Sequence, residues 1–327
     1  MNRRDAVIAL LALGASPLTF AQQPAKVWRV GFLVQRSRPA SLDADTLGEF
    51  PQAMRELGYV EGGNLVIEWR FADNRADRLP GLAAELVVLK ADVIVSQTTA
   101  TTRAMQKATA TIPIVMASVA DPVASGFVKS LARPEANITG LANQASDLGP
   151  KQLEFLLGMI PKLSHVAMLV NRDSPITAVL LRTVQDAAQK AGIEVVPFDA
   201  SNAKEIVAGF SGMTKVRAGA LIVAADALYV EQRQQIADLA LKHRLPCVSP
   251  YKELTEAGGL ASYGTSRAAS YRRIASFVDR ILKGAKPGDL PVEQPTTFEL
   301  VINRKTATAL GLTIPQSVLL RADRVIE

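Results

Sequence analysis

The chain has 327 residues, 48% hydrophobic, 5% aromatic and 21% charged, with a formal net charge of +6. That length exceeds what one core organises and favours two domains of roughly 150 residues, and an Ala/Leu/Val-rich, aromatic-poor composition fits layered α/β architecture. The basic residues are scattered without a basic run or recognition helix, which excludes a nucleic-acid partner, and the single Cys247 with isolated His165 and His243 supplies neither an internal disulfide nor a metal set.

At the front, Asn2-Arg3-Arg4 is a basic head, Ala6 to Leu18 is apolar but too short to span a bilayer, and Thr19-Phe20-Ala21 offers small residues before a cleavage point. Residues 1–21 read as a secretory signal peptide rather than an amphipathic first helix of the globule, since the stretch is apolar all round, and place the mature chain in the periplasm. The Arg3-Arg4 pair leaves the general and twin-arginine export routes both open. Val27 to Val34 then reads as the first parallel strand, ending at Gln35 and Ser37. Leu47, Phe50, Met54 and Leu57 mark one face of a helix closed by Gly58, and Pro51 within it predicts a late start or a kink at Phe50. Leu65 to Phe71 alternates as a strand and is followed by a helix carrying Leu79, Leu82, Leu86 and Leu89.

The stretch from Ala91 to Leu141 organises the rest. Val93-Ile94-Val95 ends in Gln97-Thr98-Thr99, a helix covers Thr101 to Ala108, Ile112 to Ala117 is a second apolar run, and Ser118 to Asp121-Pro122 opens another helix. This is βαβα with a parallel sheet, and ligands bind in the crevice beyond the carboxyl ends of such strands. A similar phrase recurs: Ala220 to Val223 ends at Asp226, a helix carries Ile236 and Ala240, and Leu245 to Val248 leads into Ser249-Pro250-Tyr251. Two lobes of one architecture are implied. Between the phrases lie a helix with Leu153 and Leu156, the strand Val166 to Val170, a helix with Pro175 in its first turn capped by Asp173 or Ser174, and the strand Ile193 to Pro197.

Gly258 to Thr265 reads as a strand with a polar exit, Arg267 to Lys283 as a helix, Leu290 to Pro295 as an edge strand and Phe298 to Ile302 as a further strand. Crossovers near residues 142–147 and after Gly264 give lobe one as residues 22–145 plus 265–295 and lobe two as residues 146–264 plus 296–327. Several passages between lobes form a multi-strand hinge, for which closure by bending is the natural motion.

The strand ends nominate the ligand contacts. From lobe one come Gln35, Ser37, Gln97, Thr98, Thr99, Ser118 and Asp121; from lobe two come Asn171, Ser174, Asp226, Tyr251 and Tyr263. Each has a second reading. Asp121, Thr98 or Thr99 could simply cap a helix, whereas a carboxylate there would pair with a ligand ammonium. Tyr251 and Tyr263 could pack on the hinge or stack on a ligand. The chain spells no nucleophile elbow, no dinucleotide-binding glycine motif after its first strand and no P-loop, which argues against an enzyme and against any cofactor. Delivery to a transporter or to a sensory receptor are both compatible with these features.

Val30-Gly31-Phe32-Leu33, Leu57 to Gly62, Thr111 to Val115, Asp121-Pro122-Val123, Asn137 to Gly140, Gly258 to Gly264 and Pro295 to Asn303 together resemble the substrate-binding proteins of ABC uptake systems, in the group that includes tryptophan/tyrosine-type binding proteins. The resemblance covers essentially the whole chain. It implies a type I periplasmic-binding-protein fold that delivers a small organic solute, an aromatic amino acid among the candidates, to a membrane permease and its ATPase.

Overall fold

The computed structural model describes residues 26–327, so the signal-peptide reading of residues 1–21 lies outside the described residues. The first layer is built by β1 (Trp28–Val34), α1 (Glu49–Glu56), β2 (Leu65–Phe71), α2 (Leu79–Val88), β3 (Val93–Ser96), α3 (Thr99–Ala108), β4 (Ile114–Val119) and β5 (Ile138–Ala142). The strands form a five-stranded parallel sheet in the order β2-β1-β3-β4-β5. Side chains alternate along β1, so Val30, Phe32 and Val34 share one core with α1, while Leu33 joins Leu82, Leu86 and Met105 on the opposite face. Phe32 is fully buried, stacked on Trp69 at 4.5 Å between ring centroids and met edge-on by Phe50 at 5.3 Å.

The chain continues through α4 (Ala145–Met159), β6 (His165–Val170), α5 (Thr177–Lys190), β7 (Glu194–Asp199), α6 (Ala203–Lys215), β8 (Ala220–Val223), α7 (Ala227–Glu231), α8 (Arg233–Lys242), β9 (Cys247–Ser249), α9 (Lys252–Glu256) and β10 (Ala261–Gly264). The helix α10 (Arg267–Leu282) then crosses back, and Tyr271, Ile274, Phe277 and Val278 cover the Val30–Phe32 face of the first sheet. After it come β11 (Glu299–Asn303), α11 (Arg304–Leu310), α12 (Gln316–Leu319) and β12 (Arg324–Ile326), completing a seven-stranded sheet in the order β12-β11-β10-β9-β8-β6-β7 around its own core. Two sheets flanked by helices thus make two lobes. The chain passes between them at residues 142–145, 264–267 and 293–299. Among the described residues no helix is long and apolar enough to cross a membrane.

Several local expectations are modified. Pro51 lies in the first turn of α1, which starts at Glu49 behind a short 3-10 turn whose cap Asp45 accepts the Leu47 N–H at 2.9 Å. A proline there costs no intrahelical hydrogen bond, so the late start replaces a kink. No helix follows Asp121: that residue adopts φ +38°, its Oδ1 accepts the Ala124 N–H at 2.9 Å, and Gly126 at φ +68° closes a turn. The helix after β6 begins at Thr177 rather than at Pro175. Residues 290–295 form only an isolated bridge, Leu141 with Glu293, because Pro291 and Pro295 have no N–H to extend a ladder. Finally, β11 runs antiparallel to β10, since the chain re-enters the second lobe from the first, so that sheet is mixed.

One glycine fixes the crossing. A Cβ on Gly264 would sit 2.0 Å from the Pro250 carbonyl oxygen, so only glycine lets β10 exit against the Pro250-Tyr251 segment.

Candidate functional site

The carboxyl ends of the two sheets face each other. In the first sheet β2 and β3 flank β1, and in the second β7 and β8 flank β6, so in each lobe the helices diverge to opposite faces at the end of that strand and leave a crevice. The two crevices open on one cavity of about 910 Å³, part of it open solvent.

On the first-lobe side a relay of polar groups is preset. The Gln97 side-chain oxygen accepts the Gln35 N–H at 2.9 Å, the Thr98 hydroxyl donates to Gln35 Oε1 at 2.7 Å, and Gln97 Nε2 donates to the Tyr271 hydroxyl at 3.1 Å. Thr98 caps α3 in a reciprocal capping box with Thr101, and the Thr99 hydroxyl accepts the Ala120 N–H at 3.3 Å. At the end of β4 the Ser118 hydroxyl lies 3.1 Å from Asn143 Nδ2. Gln35, Gln97, Thr98, Thr99 and Ser118 are all on the cavity wall, together with Asn143, Ser270 and Tyr271, which the sequence reading did not nominate.

On the second-lobe side Ser174, Asp226 and Tyr251 reach the wall, joined by Thr265 and Arg267 from the crossing. Asp226 is 6% exposed and caps α7, accepting the Leu228 N–H at 2.8 Å on Oδ1 and the Asn171 amide at 3.2 Å on Oδ2. Burial pushes its carboxyl up to about 6; these two donors pull it back, and the like charge of Asp173 pushes the same way as burial. Arg267 lies on the wall with its guanidinium 3.2 Å from Glu253 and 5.5 Å above the Tyr251 ring. Burial works against that charge, but Tyr271, Glu253 and Tyr251 outweigh it and hold the guanidinium above its ordinary value. Burial pushes the Tyr251 hydroxyl up to about 12, with Arg267 pulling it down and Asp226 pushing it up, so the ring sits within the fields of both charged groups. Pro175, Ile176, Val230 and Leu148 supply an apolar stretch of wall.

Four nominated residues are not on this wall. Asn171 stands behind it, holding Asp226 and accepting the Asp173 N–H at 3.0 Å. Asp121 is turned to solvent by its left-handed backbone. Tyr263 is still within β10, where its ring packs on Phe155 at 5.1 Å and Phe298 at 5.8 Å. Ser37 sits at the mouth, its N–H donating to Glu231 at 3.1 Å. Away from the wall, the Tyr229 hydroxyl is buried on the Ala200 carbonyl at 2.9 Å, and Cys247 is a buried core residue whose thiol burial pushes up to about 11. Among the described residues no group of three or more His, Cys, Asp or Glu side chains is placed to hold a metal ion.

The wall therefore offers one carboxylate, one guanidinium, a set of hydroxyl and amide groups and an apolar face. Residues 33–326 match the family described as ABC transporter substrate binding protein. A Tyrosine-binding protein of Clostridioides difficile (strain R20291) is 28% identical over 83% of this chain and 78% of its own length. Among solved structures, a Streptococcus ABC domain in complex with L-Trp is 26% identical, with a TM-score of 0.81 over 92% of this chain and 100% of that one. The ligand-free, open structure of a substrate-binding protein with adhesive properties from Clostridium difficile, also 26% identical, reaches a TM-score of 0.64 over 92% of this chain and 99% of that one. At equal identity and coverage of this chain, the overall match is higher to the L-Trp complex than to the open form.

Proposed function

Because this chain belongs to the ABC transporter substrate-binding protein family, we propose that it works in the periplasm, captures a free aromatic amino acid between its lobes and hands it to a membrane permease and its ATPase. The observation that carries the ligand class is Asp226: a buried carboxylate on the cavity wall, held by an N–H and an amide and raised to about 6. A ligand ammonium supplies the missing counter-charge and draws the group back to its ionised form. Ser118, the N-terminus of α3 and the guanidinium of Arg267 take the ligand carboxylate. The aromatic side chain packs against Tyr251 and the apolar stretch at Ile176 and Val230. The tyrosine and tryptophan named for the relatives support this ligand class.

The lobes are taken as residues 22–145 with 265–295 and residues 146–264 with 296–327, the three crossings acting as the hinge. In the open form the ligand touches one lobe; in the closed form it touches both, and this differential contact shifts the population toward closure. The permease then recognises the closed shape, and the ligand is released unchanged. A thermal-shift and calorimetric screen tests the reading. L-tyrosine, L-tryptophan and L-phenylalanine should raise the melting temperature, analogues lacking the amine should not, and small-angle scattering should show compaction. Failure of every aromatic amino acid to bind would overturn the ligand assignment.

A further inference from the structure

The mouth of the cavity carries a contact that the ligand site does not need. Glu231 is absent from the wall; it is the last residue of α7, the helix whose N-cap is Asp226. Its Oε2 accepts two hydrogen bonds from the opposite lobe, from the Ser37 N–H at 3.1 Å and from Asn74 Nδ2 at 2.7 Å. Both donors sit on loops that leave the carboxyl ends of first-sheet strands, Ser37 after β1 and Asn74 after β2. Asp73 and Asn74 adopt φ of +54° and +57°, and the Asn74 N–H donates to the Gln35 carbonyl at 2.8 Å, so the backbone is bent to present this amide beside the cavity loop.

We propose that Glu231 is a positioning residue that fastens the closed form and thereby sets affinity without touching the ligand. The inference rests on the two-lobe reading above. The elements are paired: Gln35 and Ser37 lie on one loop, Asp226 and Glu231 on one short helix, and in each pair the first member lines the cavity while the second joins the lobes. Charge-assisted hydrogen bonds to a carboxylate are the stronger kind, and this one exists only when the lobes meet. Its loss lowers the closed fraction, and apparent affinity falls by the same factor for every ligand that requires closure.

The test uses the full mature chain with L-tyrosine and L-tryptophan as probes. Glu231→Ala should weaken both by the same factor, on the order of tenfold, with an unchanged melting temperature in the ligand-free state. Glu231→Gln, which keeps an acceptor oxygen, should recover much of the loss. Asn74→Ala should weaken both probes as well, and the double variant should bind little worse than Glu231→Ala alone, because the Asn74 bond is already lost with the Glu231 carboxylate. Spin labels at Val88→Cys and Val207→Cys, exposed positions on α2 and α6, read the lobe separation directly. They decide the matter even when neither probe binds: Glu231→Ala should then deplete the short-distance population of the ligand-free protein. Affinity within twofold of wild type with an unchanged distance distribution, a loss for one probe only, or a fall in ligand-free melting temperature would each overturn the proposal.

Discussion

Asp226→Asn should stabilise the ligand-free protein at pH 7 while weakening the binding of an amino acid. The carboxyl is raised from an ordinary 3.8 to about 6, chiefly by burial. A raised acid favours the protonated form in the native state, so its stabilising contribution is complete below about 3.8 and is lost as pH rises through about 6. A shift of about two units at 1.36 kcal/mol each makes ionised Asp226 a burden of roughly 3 kcal/mol at pH 7. Asparagine removes that burden and keeps an oxygen for the Leu228 N–H, but sets an amide donor against the Asn171 amide, returning about 1 kcal/mol. The balance of about 2 kcal/mol corresponds to roughly 4–8 °C in melting temperature for a unit of this lobe's size. The same change removes the counter-charge of the ligand ammonium and should weaken L-tyrosine on the order of a hundredfold. In wild type, affinity should fall about tenfold per pH unit below about 6, where Asp226 must lose its proton to bind. Calorimetric unfolding and titration from pH 5 to 8 measure both sides. A lowered ligand-free melting temperature at pH 7, or affinity independent of pH and of the substitution, would refute the reasoning.

Arg267→Lys loses the planar fork over Tyr251 and should weaken L-tyrosine about tenfold while leaving tyramine, which has no carboxylate, within about twofold; equal losses would remove Arg267 from the carboxylate site. Phe32→Ala empties the space between Trp69 and Phe50 and should cost about 3–5 kcal/mol in urea unfolding. Gly264→Ala drives a Cβ into the Pro250 carbonyl and should lower the melting temperature and weaken ligand binding together, because the moved segment carries Tyr251 into the cavity; a neutral result by thermal shift and calorimetry would show that the crossing yields.

The strand-and-exit phrase made much of the lobe architecture readable, because apolar runs of four to six residues ending in small polar groups have few other uses. That logic takes Gln97, Thr98, Ser118 and Asp226 to the cavity wall, where the structure has them. Asp121 and Tyr263 stay off that wall for local reasons. β4 shifts register between Met116 and Val119, and the left-handed turn at Asp121 then aims the carboxylate outward. Tyr263 is one residue short of its strand end, so the pleat sends its ring to Phe155. Arg267 and Tyr271 were not legible at all. At the start of an amphipathic helix an arginine reads as solvent-facing, and only the return of α10 to the first sheet brings both side chains to the wall. The antiparallel setting of β11 escapes for the same reason, being decided by where the chain comes back rather than by its own residues.

The return of α10 also orders events in time. Strands β1 to β5 emerge long before the helix that covers their Val30–Phe32 face, with the whole α4 to β10 segment of the second lobe made in between. Until Tyr271, Ile274 and Phe277 arrive, α1 covers that face only in part, and the rest remains a greasy surface open to solvent and to any holdase. A nascent chain therefore cannot close its first lobe until α10 emerges, nor its second until β11 and β12 follow, so neither lobe is complete before nearly the whole chain has been made.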